Sequence, residues 1–336
     1  MTKCAASNTA APDTRRIDSL TEHHRHALLR GIENVCNTND ARMTFAQILD
    51  GVPTIPLLDG GCPMIWLPES HPSWTQHRQL CPGALDRLDH FREQFNAGSI
   101  HWTPRLCLHT RAQRLGRDLE ITLLDENFHK EDGMNAFIPP ESDTEFWGSL
   151  PKGPPPTWLY LQWYQNFEQY PQGYNDVVGY WAENYIIGGV LLFDRREESS
   201  TQDFEMGGLV DPDGVFLHAE RIRSTYRICK LLEIQKKAYL DFLQASGDEA
   251  PDICPLPLMS DKRSFDRVDP EDPILETGIY RDDWERLPVP YEEPDERLRD
   301  VMTMDDYPRY LDWFQAQKRA AKRRDRIERE QSGRPD

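Results

Sequence analysis

The longest stretch that is both apolar and low in helix-friendly spacing is Tyr174–Arg195, YNDVVGYWAENYIIGGVLLFDR. Val177, Val178, Tyr180, Trp181, Tyr185, Ile186, Ile187 and the run from Val190 to Phe193 are β-branched, aromatic or strongly apolar, as buried strands require. Glu183-Asn184 divides the stretch into two apolar halves. A tight reversal there predicts an antiparallel hairpin over 176–193 at the centre of a sheet. Gly188-Gly189 in the second half predicts a bulge or a close backbone contact.

The rest of the pattern arranges itself around that hairpin. Residues 1–16 are small and polar and predict a disordered tail. Ser19 and Glu22 form a capping box for a helix whose apolar stripe is Leu20, Leu28, Leu29, Ile32 and Val35. Thr44 and Gln47 give a second capping box for a short helix ending at Gly51. Prolines break residues 52–72 into a surface-hugging connector. A helix follows from about 82 to 97, capped at Gly98. Short strands are expected over 105–109, 119–124, 157–164, 215–218 and 225–228, and residues 231–244 form an amphipathic helix.

Composition shifts after that helix. Asp, Glu and Pro dominate from 247 to 302, which predicts an extended acidic arm, docked or disordered. A last helix over 303–331 carries Tyr307, Leu311 and Phe314 and ends in KRAAKRRDRIERE. That end reads as a solvated terminus suited to the helix dipole, or as a nuclear-localisation or acidic-partner patch. The expected architecture is α+β, with a single domain over 17–246 whose sheet core occupies about 100–246.

The formal charge is −18 and the mean hydropathy −0.71. Such an acidic chain disfavours nucleic acid and anionic membranes as partners. No apolar run approaches the roughly 20 residues that span a bilayer. The N-terminal residues have no apolar signal region. The seven cysteines are odd in number and scattered, which fits reduced thiols in a cytoplasmic or nuclear setting.

Candidate chemistry is sparse. Cys62, His71, His77 and Cys81 are all zinc-binding residue types, and His77 and Cys81 have the i, i+4 spacing of ligands on a helix. The structural alternative is a buried cysteine with surface histidines. Cys107 and His109 alternate on an expected strand. His23, His24 and His26 lie together on the first helix, where a solvated face is the simpler reading. The link RAQRLGR could hold a phosphate or carboxylate, or be a solvated loop. Glu183, Asp194 and His218 are the acid–base candidates, because each sits at an expected strand end or turn near the central sheet. Turn chemistry, a salt bridge and a surface position are the respective alternatives. Trp158, Tyr160, Trp163, Tyr164, Phe167, Tyr170, Tyr174, Tyr180 and Trp181 suit either a flat ligand or peptide, or a packed sheet face. No GxSxG elbow, P-loop, HExxH, dinucleotide fingerprint or EF-hand loop occurs, and no cofactor is implied.

The run DVVGYWAENYIIGGVLLFDR resembles a segment of uncharacterised filamentous-fungal proteins with a GYWAE block and a GGV-LFDR block. Those proteins also carry a later histidine before a TYRI-like strand and a helix. The corresponding pieces here are His218, Thr225 to Ile228 and Leu231–Gln244, so the resemblance covers about 157–246. It implies a fungal intracellular protein and assigns no activity. Two functional expectations follow. One is a non-enzymatic accessory factor that binds a protein partner through the aromatic face or the C-terminal arm. The other is a tailoring enzyme of fungal secondary metabolism, acting on a small aromatic or acyl substrate through Glu183, Asp194 and His218.

Overall fold

The structure, a computed structural model, describes residues 15–16, 20–50, 80, 82–94, 101–102, 159–161, 163–170, 174–196, 214–219, 225, 227–282 and 306–332. The expected tail up to residue 14, the connector over 52–72, the strands over 105–109 and 119–124, and residues 283–302 of the acidic arm fall outside them. Helices and an antiparallel five-stranded sheet make up what is described, so the α+β class holds.

Strand β1 (Arg15–Arg16) opens the chain, followed by helices α1 (Glu22–Cys36), α2 (Asn39–Asp50) and α3 (Ala84–Gln94) and then by strand β2 (His101–Trp102), which pairs with β1. The N-cap of α1 is Thr21 rather than Ser19, because the Thr21 hydroxyl accepts the His24 amide at 3.4 Å. A second correction concerns α2. The Thr38 hydroxyl accepts the Ala41 amide at 3.2 Å, so the helix starts at Asn39. Thr44 and Gln47 are therefore interior and buried, and Gln47 turns its amide back to the Met43 carbonyl at 3.2 Å.

The central hairpin is the largest correction. Its first half is helix α4 (Tyr174–Ile186), and only its second half, β3 (Val190–Asp194), is a strand. From Asp176 to Ile186 every residue of α4 is buried, so this helix has no polar stripe to betray its period. A helix buried on all sides and a buried strand share the same continuous apolar pattern. Glu183-Asn184 makes no reversal; both residues lie buried in the last turn of α4.

The reversal comes at Gly188, whose φ of +107° is the left-handed conformation that ends a helix. Its amide donates to the Asn184 carbonyl at 3.1 Å, and the Leu258 amide donates to the Ile187 carbonyl at 2.5 Å. A Cβ on Gly188 would overlap the Leu258 carbonyl oxygen and sit 2.8 Å from the Leu258 nitrogen. The expected close backbone contact is therefore present.

Strand β4 (Val215–His218) lies where the pattern placed it, and β5 (Ile228–Lys230) starts three residues later than expected. Helix α5 (Glu233–Gln244) follows and packs on α1, where Asn34 donates its side-chain amide to the Phe242 and Ala245 carbonyls at 2.8 and 3.2 Å. The Phe242 carbonyl also accepts the Ala245 amide at 3.2 Å, so Asn34 supplements the cap at the α5 C-terminus. Helix α6 (Ala250–Ile253), strand β6 (Arg267–Val268), helix α7 (Ile274–Thr277) and strand β7 (Ile279–Tyr280) complete the sheet, in the order β6-β5-β4-β3-β7.

Both edge strands thus come from the segment read as an arm. The sheet is not confined to 100–246, and the described part of 247–302 is built into it. Leu159, Tyr160 and Leu161 are buried yet belong to no strand, against expectation; β6 and β7 occupy the edges they would have needed. The expected terminal helix is α8 (Tyr310–Ser332). No helix among the described residues is long and apolar enough to cross a membrane.

Gly188→Ala should cost about 3 kcal/mol in urea unfolding, since it adds left-handed strain to a clash with backbone that cannot yield.

Candidate functional site

Alternation along the central strands decides which side chains meet. Val190, Leu192 and Asp194 share one face of the sheet with their register partners His218, Phe216 and Ile279. His218 lies at one end of this face, and Phe216 and Asp194 lie toward the other. His218 and Asp194 are set apart along it and Glu183 comes from α4, so the three acid–base candidates are not gathered.

At the His218 end the arrangement is aromatic and ionic. The Tyr164 hydroxyl is 2.9 Å from His218 Nδ1, and its ring stacks on Tyr180 with centroids 4.4 Å apart. The Tyr180 hydroxyl donates to Asp282 at 2.6 Å, and Arg281 lies over the Tyr180 ring at 4.8 Å. Arg281 then reaches Glu183, donating to Oε2 at 2.7 Å, while the Leu191 amide donates to Oε1 at 2.8 Å. Both side chains of this pair are almost wholly buried, at 3% and 2% exposure. Burial pushes the Glu183 carboxyl up; the Arg281 charge and the Leu191 amide pull it back.

Glu183 is therefore engaged on both oxygens, by a strand amide and by a buried cation. Asp194 stands at the far end of β3, where both its oxygens take the Arg196 guanidinium at 2.9 and 2.6 Å. This is the salt bridge that the sequence offered as its alternative role. His218 is buried rather than on the surface. Of the aromatic cluster, Tyr160, Tyr164, Tyr170, Tyr180 and Trp181 are buried in the core, with Trp163 and Phe167 partly buried against it. Cys62, His71, His77, Cys81, Cys107 and His109 lie outside the described residues. His23 and His24 have ring centroids 5.7 Å apart, and among the described residues no group of three or more His, Cys, Asp or Glu side chains could hold a metal.

The other end of the face is covered by α8. Two buried carboxylates hold this helix, each between two arginines. Asp269 takes Arg227 at 2.6 Å and Arg319 at 2.5 Å; Asp272 takes Arg319 at 2.9 Å and also Arg323. Tyr307 donates to Asp269 at 2.8 Å, and Arg227 lies over its ring at 4.3 Å. Burial works to raise the Asp269 pKa, but Arg227 and Arg319 outweigh it and hold the carboxyl below the usual range. Arg319 and Arg323 of the basic helix end thus find acidic partners inside the chain. Beside this clamp lies a small open cleft of about 60 Å³, lined by residues of β4, β6, β7 and α8.

Sequence reasoning missed Arg281, Asp282, Arg227, Asp269 and Arg319. One signal was present: a lone carboxylate at 183 inside an apolar run requires a cation if the run is buried. A second was the i, i+3 spacing of Asp269 and Asp272 against the i, i+4 spacing of Arg319 and Arg323. Comparison of the chain with models of known protein families, with curated proteins and with solved structures found no match. The functional reading therefore rests on geometry.

Removing one member of the buried pair leaves the other as an uncompensated charge. Glu183→Leu or Arg281→Leu alone should each cost about 3–5 kcal/mol in urea unfolding, and the double variant should cost less than either. The clamp carries a pH signature. Because the folded Asp269 pKa is depressed, its contribution is complete above the ordinary Asp value of about 4 and is lost as pH falls through the folded pKa. Asp269→Asn should be clearly less stable than the parent chain at neutral pH, and that gap should close progressively in denaturation curves taken below about pH 4.

Proposed function

We propose that the protein is a non-enzymatic binding or accessory factor that presents the outer face of α8 to a protein partner. One observation carries this reading. On the side of α8 away from buried Ala316 and Ala320, Leu311, Phe314, Lys318 and Lys322 recur at intervals of three or four residues. Tyr310, Leu311 and Phe314 are exposed by 75%, 62% and 40%. Three large apolar side chains in one and a half turns form a contiguous patch, of the kind that marks interaction sites.

The chemistry of the stripe defines the partner. Lys318 lies over the Phe314 ring at 4.6 Å, so the apolar patch grades into cations along the helix. An amphipathic helix of this type fits an apolar groove bordered by carboxylates. The buried clamp through Asp269 and Asp272 fixes α8 beforehand, so little ordering entropy opposes docking. Glu183, Asp194 and His218 contribute to this reading by their engagement: each is spent on holding elements together.

The test places a photo-crosslinking residue at position 311 of the full chain in native extract, with position 234 on α5 as an exposed apolar control. The expected adduct forms at 311 and not at 234, weakens as salt rises, and disappears in Phe314→Glu/Lys318→Glu. That variant should keep the parent melting curve to within about 0.5 kcal/mol, because both residues are exposed. Equal adducts at both positions, or an adduct indifferent to the double substitution, would remove α8 as the binding face. An adduct of the chain with itself would make the partner a second copy.

A further inference from the structure

The sheet and the helix that covers it are fastened in different ways. Strands β6 and β7 join the sheet through backbone ladders, Ile228 to Val268 and Phe193 to Tyr280. The link between β5 and β6 is fixed as well, since the Ser264 hydroxyl donates to the Lys230 carbonyl at 2.7 Å. Helix α8 pairs with no strand and is seated by its side chains. Among the described residues its buried apolar side chains are Ala316 and Ala320, with Tyr307 just before the helix. Trp163 and Trp313 are partly buried against them, a small apolar contact for a helix of 23 residues. The rest of the seat is charged: Arg319 reaches Asp269 and Asp272, and Arg323 reaches Asp272.

In this seam the carboxylates belong to the sheet side and the cations to the helix, so proton uptake by the carboxylates cancels the attraction across it. Asp269 faces Arg227 from the approach to β5, Arg319 from α8 and the Tyr307 hydroxyl. Asp272 faces Arg319 and Arg323. Arg227 and Arg267 also donate to the Asp306 carbonyl, and the Asp306 carboxylate takes the Thr225 hydroxyl at 2.7 Å. Arg319 and Arg323 are 21% and 15% exposed, so solvent reaches the edge of the clamp. Because the folded Asp269 pKa is depressed, its share of the attachment is lost as pH falls through that value. The core pair responds in the opposite sense. Burial raises the Glu183 carboxyl, so the folded chain takes up that proton more readily than the unfolded one, and Arg281 keeps Asp282 at 3.0 Å. Acid therefore weakens one seam and spares the other.

From this we infer that α8 is an acid-released latch: when Asp269 and Asp272 take up protons, the helix leaves the sheet as a unit while the five strands stay paired. Local opening of this kind belongs to elements with few buried apolar contacts. It bares Tyr307, Ala316 and the partly buried Trp163 and Trp313, an inner surface distinct from the outward stripe of α8. The opening is a property of the fold and does not depend on the proposed partner.

Hydrogen exchange of the full chain tests it, read by mass spectrometry as protection relative to the intrinsic rate at each pH. On going from neutral pH to about pH 3, the amides of 314–323 should lose at least about tenfold in protection. Those of 190–194 and 215–218 should stay within about threefold of their neutral values. At neutral pH, Arg319→Gln/Arg323→Gln should open α8 in the same way, because it removes the helix side of the clamp. Lys318→Gln/Lys322→Gln makes the same change of charge at exposed positions and should leave α8 protected. Loss of protection in the sheet together with α8, unchanged protection of α8 in acid, or equal loosening by the two double variants would each overturn the inference.

Discussion

A guanidinium–carboxylate contact in the interior, Arg281 to Glu183 at 2.7 Å, joins parts of the chain that are 98 residues apart. It sets the end of α4 against the edge strand β7, and the second Glu183 oxygen fixes the start of β3 through the Leu191 amide. Ion pairs taken this far out of water add little net stability, since desolvation offsets most of the attraction. Their consequence is specificity. Any register in which Arg281 misses Glu183 strands two charges in an apolar core, and such alternatives are strongly disfavoured.

The same logic recurs at the other end of the sheet face. Asp269 and Asp272, each between two arginines, attach α8 to β6 and to the segment that leads into α7. Apolar burial under the helix is modest, centred on Tyr307 and Ala316 with Trp163 and Trp313 against them. Trp163 also packs on the main core and lies 6.0 Å from the His218 ring, so it links the two ends. A helix held mainly by charge can keep a large apolar stripe facing outward, and this is how α8 combines a fixed position with an exposed apolar face.

Legibility from sequence followed the range of the determining interaction. Helices α5 and α8 were readable because their own side-chain periods specify them, and strand β4 because its short run of Val, Phe and Leu is β-prone. The close contact at Gly188 was readable because only glycine meets that need. Helix α4 was not, because it is buried on every side and its period is masked by uniformly apolar residues. The edge strands β6 and β7 were hidden for a different reason: each is two residues long and set in acidic, proline-rich sequence, so its strand character comes from the neighbour it pairs with. In the candidate site, Glu183, Asp194 and His218 were singled out as acid–base candidates, and all three are buried. The Asp194 salt bridge was legible because Arg196 is two residues away, whereas Arg281 and Tyr164 meet Glu183 and His218 only in the folded chain.

The central claim is that the buried charges integrate residues 248–282 and 306–332 into the folding unit, so that these segments are structural before they are anything else. The most direct measurement is urea unfolding of a chain ending at Ser246, followed by near-ultraviolet circular dichroism beside the full chain. The account predicts that the shortened chain, lacking both sheet edges and the cation for Glu183, loses its cooperative transition and its fixed aromatic signal. A sharp transition with a native aromatic spectrum in the shortened chain would contradict it.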